Sequence, residues 1–124
     1  MYFYDEDQNL VELIARKNIQ NSSDKIFDSN SFLEISEIGL PTLDIEKQFN
    51  ILNKLMGIEV FDGGFEHFCA IGDENGLFIC INKEKKDWFP INEETYSSDF
   101  EIQFIEKSKE YHFQFKNTTL KSIA

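Results

Sequence analysis

The stretch that decides the fold is Glu66-His67-Phe68-Cys69-Ala70-Ile71-Gly72-Asp73-Glu74-Asn75-Gly76-Leu77-Phe78-Ile79-Cys80-Ile81. It predicts two strands joined by a tight turn, because its middle is rich in residues that accept a positive φ and is flanked by apolar residues. If the turn pairs Asp73 with Gly76, Cys69 lies directly opposite Cys80, whereas a bulge or a slip of one residue would separate the two thiols. We therefore expect a β-hairpin at the centre of the fold.

Composition narrows the range of partners. The chain has 124 residues, which fits one domain, and a formal charge of −11 with Arg16 as its single arginine. Nucleic acids and anionic membranes require clustered Lys and Arg, so neither is expected as a partner. No apolar run approaches the roughly 18–20 residues that span a bilayer. The acidic N-terminus argues against a signal peptide, and two cysteines are too few for a disulfide framework, so we expect a cytoplasmic protein with reduced thiols.

The first thirty residues predict little regular structure. Residues 2–4 and 10–15 are strand-like and flank a polar turn, although the second of them would also fit a short helix. We favour the strand, because residues 17–30 lose all apolar periodicity and have the composition of a linker.

A strand and then a helix should precede the central hairpin. Residues 32–40 alternate like a strand that Pro41 should end, since proline cannot donate to a sheet ladder. Asp44 is placed as a helix N-cap and Gly57 as the C-terminal stop. Between them the apolar positions fall on one helical face: Ile45, Phe49, Leu52, Leu55 and Met56.

The remaining pattern predicts strands. Residues 58–61 form a short strand before the central hairpin, and residues 100–105 and 111–115 alternate with period two around a charged loop. The sequence thus predicts an α+β fold in which one helix covers one face of a curved, mostly antiparallel sheet. The opposite face is left to a ligand, another module or another chain.

Three stretches resemble the vicinal-oxygen-chelate superfamily, which includes glyoxalase I, bleomycin-resistance proteins and extradiol dioxygenases. Residues 37–46 (Glu-Ile-Gly-Leu-Pro-Thr-Leu-Asp-Ile-Glu) resemble the opening strand and helix start of a βαβββ module. Residues 5–14 (Asp-Glu-Asp-Gln-Asn-Leu-Val-Glu-Leu-Ile) resemble a closing strand. Residues 70–79, followed by Trp88-Phe89-Pro90, resemble one subgroup of these proteins.

The resemblance implies a division of the chain. Residues 1–16 would be the closing-strand remnant of a preceding module, 17–30 a linker, and 31–124 a βαβββ module with a C-terminal hairpin. Residues 1–15 would then pair with the edge of this module or with a second copy of the chain. We accordingly expect a homodimer, which would cover sheet edges that otherwise promote aggregation.

The resemblance also implies candidate metal ligands. In metal-bearing relatives the ligands come from opening and closing strands, positions that Glu12 and Glu37 occupy here. By alternation Ile38 and Leu40 should meet the helix, which leaves Glu37 on the concave face. Two carboxylates there would suit Mg²⁺ or Mn²⁺. Lys121 occupies the position where the resemblance implies a further acidic ligand, so the set of predicted metal ligands is incomplete.

The ligand-binding residues that we predict are Glu37, His67 and Trp88, with His67 on the wall of the concave face and Trp88 at its rim. Both cysteines are interpreted as small apolar residues rather than nucleophiles. The favoured function is a small-molecule-binding module without a metal or other cofactor. The alternatives are a metal-dependent lyase, isomerase or dioxygenase acting on vicinal oxygens, and an inactive, self-associating remnant.

Overall fold

The structure, a computed structural model, describes residues 1–85 and 96–123. The chain divides into two compact units, Met1–Leu33 and Glu34–Ala124. No helix in the described residues is long and apolar enough to cross a membrane.

The first unit begins with a small hairpin. β1 (Tyr2–Tyr4) pairs antiparallel with β2 (Leu10–Glu12), so the strand prediction for this stretch is confirmed over a helix. The Asp5 carboxylate organises the loop by accepting from the backbone N–H groups of Asp7 (2.9 Å) and Asn9 (2.8 Å) and from the Asn9 side chain (3.0 Å). The hydrogen bonds from Asn9 lower the pKa of Asp5 below its ordinary value.

The rest of this unit is irregular apart from one 3₁₀ turn at Ser29–Ser31. Asp28 caps the turn by accepting from the Asn30 N–H at 2.8 Å, while the Ser31 hydroxyl accepts from the Asp28 N–H at 2.9 Å. Phe27 and Phe32 pack edge to face across it, with ring centroids 5.4 Å apart. The turn is therefore ordered by local side-chain contacts, although both rings remain largely exposed.

The second unit contains a four-stranded sheet with the order β3-β6-β5-β4. Its elements are β3 (Glu37–Thr42), α1 (Ile45–Met56), β4 (Val60–Gly63), β5 (Phe68–Asp73) and β6 (Gly76–Asn82). β3 runs parallel to β6, and the other pairs are antiparallel. The central hairpin is confirmed: Asp73 pairs with Gly76, and Cys69 lies opposite Cys80.

The glycine that the hairpin requires is Gly72 rather than Gly76. Gly72 has a φ of 124°, whereas Asn75 and Gly76 do not have positive φ. A Cβ at Gly72 would collide with the Gly76 carbonyl oxygen. The Gly72 N–H donates to the Glu59 carbonyl at 3.0 Å. The turn itself is held by the Asp73 carboxylate, which accepts from the Asn75 N–H at 2.8 Å.

The prediction that Pro41 ends the first strand is wrong. β3 begins only at Glu37 and continues through Pro41, which pairs with Ile81, to Thr42. β3 is at the edge of the described sheet, where the missing proline N–H removes no ladder bond. The residues before Glu37 alternate like a strand, yet Ile35 is 87% exposed and belongs to no element.

The helix prediction is confirmed at both ends. The Asp44 carboxylate accepts from the Lys47 N–H at 3.0 Å, and Gly57 ends the helix with a φ of 69°. The buried positions of α1 are Ile45, Gln48 and Leu52, while Leu55 is exposed. An amide therefore occupies a position on the face that the sequence assigns to apolar residues.

The C-terminal strands form a second sheet rather than an extension of the first. β7 (Phe100–Glu106) and β8 (Lys109–Lys116) confirm the predicted hairpin, and β9 (Thr119–Ser122) is a strand that the hydrophobic alternation does not predict. Both two-residue turns, Lys107-Ser108 and Asn117-Thr118, have positive φ throughout, as type I′ turns require. The α+β class, with one helix in the described residues and mostly antiparallel strands, is confirmed.

The core of this unit lies between the helix and the two sheets. Phe78 of the first sheet packs edge to face on Phe104 of the second, with centroids 5.6 Å apart. α1 contacts β5, β6 and β9. The buried cluster comprises Leu40, Ile45, Leu52, Cys69, Ile71, Phe78, Cys80, Phe113, Phe115 and Leu120.

Candidate functional site

The face of the four-stranded sheet opposite α1 carries Glu37. Ile38 and Leu40 pack in the core, so alternation directs Glu37, Gly39 and Pro41 to the other face. Cross-strand partners share a face, and the register therefore adds further residues from the two central strands: Leu77, Ile79, Ile81, Gly72, Ala70 and Phe68. This surface, which we call the outer face, is apolar with a carboxylate at one corner.

Part of the outer face is accessible. Ala70, Leu77 and Ile81 are buried, at 3%, 6% and 2% exposure. Glu37 and Gly39 on β3 and their neighbour Ile79 on β6 are only half-buried. These three residues form a strip, since Gly39 pairs directly with Ile79. An apolar strip ending in a carboxylate is suited to a ligand with an apolar body and a cationic or hydrogen-bond-donating group.

A second carboxylate, Asp62, lies on the same face, one residue beyond the short strand that the sequence predicts over residues 58–61. The register shifts between Val60 and Asp62 and places Asp62 opposite Ala70. Asp62 and Glu37 are thus on opposite edge strands, which three inter-strand spacings separate by about 14 Å. A β-bulge leaves no clear mark in a single sequence, so alternation alone could not find this residue.

His67 is not brought together with Glu37. The Asn82 N–H donates to the His67 carbonyl at 3.0 Å, and Asn82 pairs with Thr42 at the far end of β3 from Glu37. Five residues of strand separate the two ends, or about 17 Å. His67 lies two residues before Cys69 and therefore shares its side of the sheet, the core side beside α1, rather than the outer face that carries Glu37. Trp88 lies outside the described residues.

The prediction of Glu12 as a metal ligand gains no support from the structure. Glu12 is an exposed residue of the first unit and pairs with Tyr2 across β1 and β2. Within residues 1–85 and 96–123, no three His, Cys, Asp or Glu side chains are grouped in a way that could hold a metal ion. The described residues therefore do not form a complete metal site.

The two cysteines are fully buried and free of a disulfide. Burial raises the pKa of the Cys80 thiol to about 12, and the neighbouring Cys69 contributes to the rise. Burial, with a smaller contribution from Asp62, also raises the pKa of Cys69. Both groups are therefore thiols at neutral pH, which is unfavourable for nucleophilic catalysis.

A buried polar network centred on Gln48 was not predicted. Its side-chain N–H groups donate to the Thr42 hydroxyl at 3.1 Å and the Thr118 carbonyl at 3.3 Å, and its oxygen accepts from the Leu120 N–H at 2.8 Å. The Thr42 hydroxyl also donates to the Thr118 carbonyl at 2.8 Å. The network joins β3, α1 and the β8–β9 turn. Since its polar atoms are paired with one another, it is structural rather than a binding site.

A groove of about 380 Å³ runs along the exposed flank of α1. Its lining mixes both signs of charge and is open to solvent: Asp44, Glu46, Lys47, Asn50, Ile51 and Lys54. The polar side chains that line it are all exposed, so it is a weaker candidate than the outer face.

Comparisons with protein-family models, with curated proteins and with solved structures gave no match.

Proposed function

We propose that the chain carries a glyoxalase-like βαβββ module that binds a small molecule on its outer face without a metal ion. The observation that supports the proposal is the element order β3-α1-β4-β5-β6 combined with the sheet order β3-β6-β5-β4. A βαβββ order with one helix on one face of a mostly antiparallel sheet is what the resemblance leads us to expect.

The chemistry of the outer face suggests the class of ligand. Glu37 offers negative charge at the end of an apolar strip that includes Ile79, and Gly39 contributes no side chain to that strip. Half-burial of the strip lowers the local dielectric and strengthens attraction to a cation. The proposed ligand is therefore a small molecule with an apolar body and a cationic group.

Benzamidine and benzoate provide a matched pair of probes, since they share an aromatic ring and differ in the sign of their charge. We expect the ligand-observed NMR signal of benzamidine to show binding and that of benzoate to show none. Glu37→Gln should weaken benzamidine binding about fivefold or more, the loss of one partly desolvated charge pair of roughly 1 kcal/mol. Glu110→Gln, which removes the same charge at an exposed site on β8, is the control.

The same titration, repeated with a chelator, separates this proposal from a metal-dependent enzyme. Binding should be unchanged by the chelator. Loss of binding, restored by added Mg²⁺ or Mn²⁺ and removed by Glu12→Ala or Glu37→Ala, would instead favour the metal-dependent alternative. Equal binding of both probes by the wild type and both glutamine variants would contradict a site at Glu37.

A further inference from the structure

Cys69 and Cys80 form a cross-strand pair in the core. They are direct partners in the β5–β6 ladder, both belong to the buried cluster beside α1, and both side chains are fully buried. Their thiols are close enough for the charge of one to affect the pKa of the other. Neither the resemblance nor the proposed binding site involves this pair.

The type of pair follows from the ladder. The Asn82 N–H donates to the His67 carbonyl at 3.0 Å, which marks His67 and Asn82 as a hydrogen-bonded pair. Such pairs alternate along an antiparallel ladder, so Cys69 and Cys80, two residues further on, are also a hydrogen-bonded pair. Their Cα atoms should then be about 5.5 Å apart, within the range that disulfides allow.

The Cβ atoms fit a disulfide less well. Directly opposite residues have Cβ atoms about 4.5–5.5 Å apart, and the separation is larger in hydrogen-bonded pairs. A disulfide needs about 3.8 Å. Closing the bond must therefore pull two central strands together by roughly 1 Å in a close-packed core, and the strain makes the bond easier to reduce.

We propose that Cys69 and Cys80 are a reversible redox couple, in which a strained disulfide forms under oxidising conditions and is readily reduced. With glutathione disulfide as the oxidant, one thiolate attacks it, forms a mixed disulfide and releases one glutathione. The second cysteine then displaces the other glutathione, so the protein loses two protons and two electrons. One S–S bond forms in the protein, one S–S bond of the oxidant breaks, and two glutathione thiols result.

Burial controls the rate of this reaction rather than its equilibrium. The thiolate forms only when the pair is transiently exposed, because the closed core strongly favours the thiols. β4 is the edge strand beside β5, and all four of its residues are exposed. Opening of this edge is therefore the natural route for the oxidant to reach Cys69. A low concentration of urea should accelerate oxidation without changing its product.

The experiment is equilibration in glutathione redox buffers of graded ratio, with urea below the unfolding transition and readout by intact mass. We expect the most oxidising buffers to remove two hydrogens from the protein, with native far-UV circular dichroism retained and full reversal by dithiothreitol. Two thiols persisting in the folded protein, under buffers that oxidise the fully unfolded chain, would overturn the proposal. A stable glutathione adduct or a disulfide-linked dimer as the main product would overturn it as well.

A relocated pair tests the strain. In a Cys69→Ala/Cys80→Ala background, Ala70→Cys and Ile79→Cys create a pair one step along the ladder, at a non-hydrogen-bonded position where side chains are closer. We expect the equilibrium constant for reduction by glutathione to be about tenfold larger for the wild-type disulfide than for the relocated one, since strain favours the thiols. If the relocated variant does not fold, the redox equilibrium of the wild type decides whether its disulfide is strained. A strained disulfide should form only in buffers that contain no reduced glutathione. A wild-type disulfide that withstands a large excess of reduced glutathione would contradict it.

Discussion

Gln48 is the residue whose position is most at odds with its chemistry, because a neutral amide lies fully buried on the apolar face of α1. Its partners lie on β3, on β9 and in the turn between β8 and β9, where it contacts the carbonyl of Thr118, a β-branched residue held at a φ of 61°. A β-branched residue with positive φ is strained and persists only where surrounding contacts hold it. The network therefore fixes a turn that local preference disfavours.

Replacing Gln48 with leucine should reveal the energetic role of this network. Gln48→Leu keeps the approximate volume but leaves the Leu120 N–H without its acceptor, while the Thr118 carbonyl keeps only the Thr42 hydroxyl as a donor. We expect a loss of roughly 2 kcal/mol in the free energy of unfolding, since one buried unpaired group costs about 1–3 kcal/mol. Urea unfolding measures it, with Asn50→Leu on the exposed side of α1 as the control, expected within about 0.5 kcal/mol of the wild type. Equal stability of the two variants would show that the network contributes little.

The Cys80 thiol should make stability depend on pH in the alkaline range. Its pKa is raised from 9.0 to about 12 in the folded state by burial and by Cys69. Below about pH 9 both states keep the proton; above it the unfolded chain loses a proton that the folded chain retains, so stability falls until the folded pKa is passed. The loss should be roughly 1.4 kcal/mol per pH unit.

Urea unfolding in reductant, at about pH 8.5 and pH 10.5, checks this expectation against Cys80→Ala, which cannot titrate there. The wild type should lose roughly 2 kcal/mol more than the variant over this interval. Lysines and tyrosines titrate in both proteins, so only the difference is informative. Parallel losses would mean that the Cys80 thiol is not shielded from solvent as described.

At the scale of elements, the central hairpin depends on Gly72. Gly72→Ala would force a side chain onto a φ of 124° and into the Gly76 carbonyl, whereas a Cβ at Gly76 meets nothing within 4 Å. We expect Gly72→Ala to cost more than about 2 kcal/mol and Gly76→Ala to change stability by less than about 1 kcal/mol. Thermal unfolding of the two glycine variants beside the wild type measures both changes in stability. A similar melting temperature for both variants would indicate that the positive φ at Gly72 is not required.

The elements that the sequence predicts correctly are those with local signals. The Asp44 cap, the Gly57 stop and the turn between Asp73 and Gly76 are all encoded within a few residues, and each lies where expected. β9 was missed because its four residues, of which only Leu120 is buried, carry no pattern apart from their pairing with β8. The passage of β3 through Pro41 likewise depends on its place at the sheet edge.

The candidate site divides in the same way. Alternation along β3 is a local property, and it correctly separates Ile38 and Leu40, which reach the core, from Glu37. The separation of Glu37 from His67 depends on pairing between distant strands, and the position of Asp62 on the outer face depends on a bulge. Neither kind of information is present in a hydrophobic pattern.

At the scale of the whole molecule, we expect a homodimer. Among the described strands β4 pairs only with β5, and its exposed side chains include Val60 and Phe61. An apolar open edge favours pairing with another chain. Because each chain carries a charge of −11, repulsion should oppose association at low salt, and the dimer should become tighter as salt screens it.

Sedimentation equilibrium at several salt concentrations tests the dimer and its interface. Phe61→Glu should weaken association, while Ile105→Glu, an exposed apolar residue of β7 in the other sheet, should not. A monomer mass at every concentration and salt would contradict the homodimer. A dimer that both variants leave intact would place the interface elsewhere.

The binding site on the outer face is tested most sharply by locating benzamidine on the protein through amide chemical-shift perturbation in a ¹H–¹⁵N NMR titration. We expect the largest saturable shifts at Glu37, Gly39 and Ile79, on the face of the sheet opposite α1. Shifts confined to the α1 groove around Lys47 and Asn50 would contradict a binding site on the outer face.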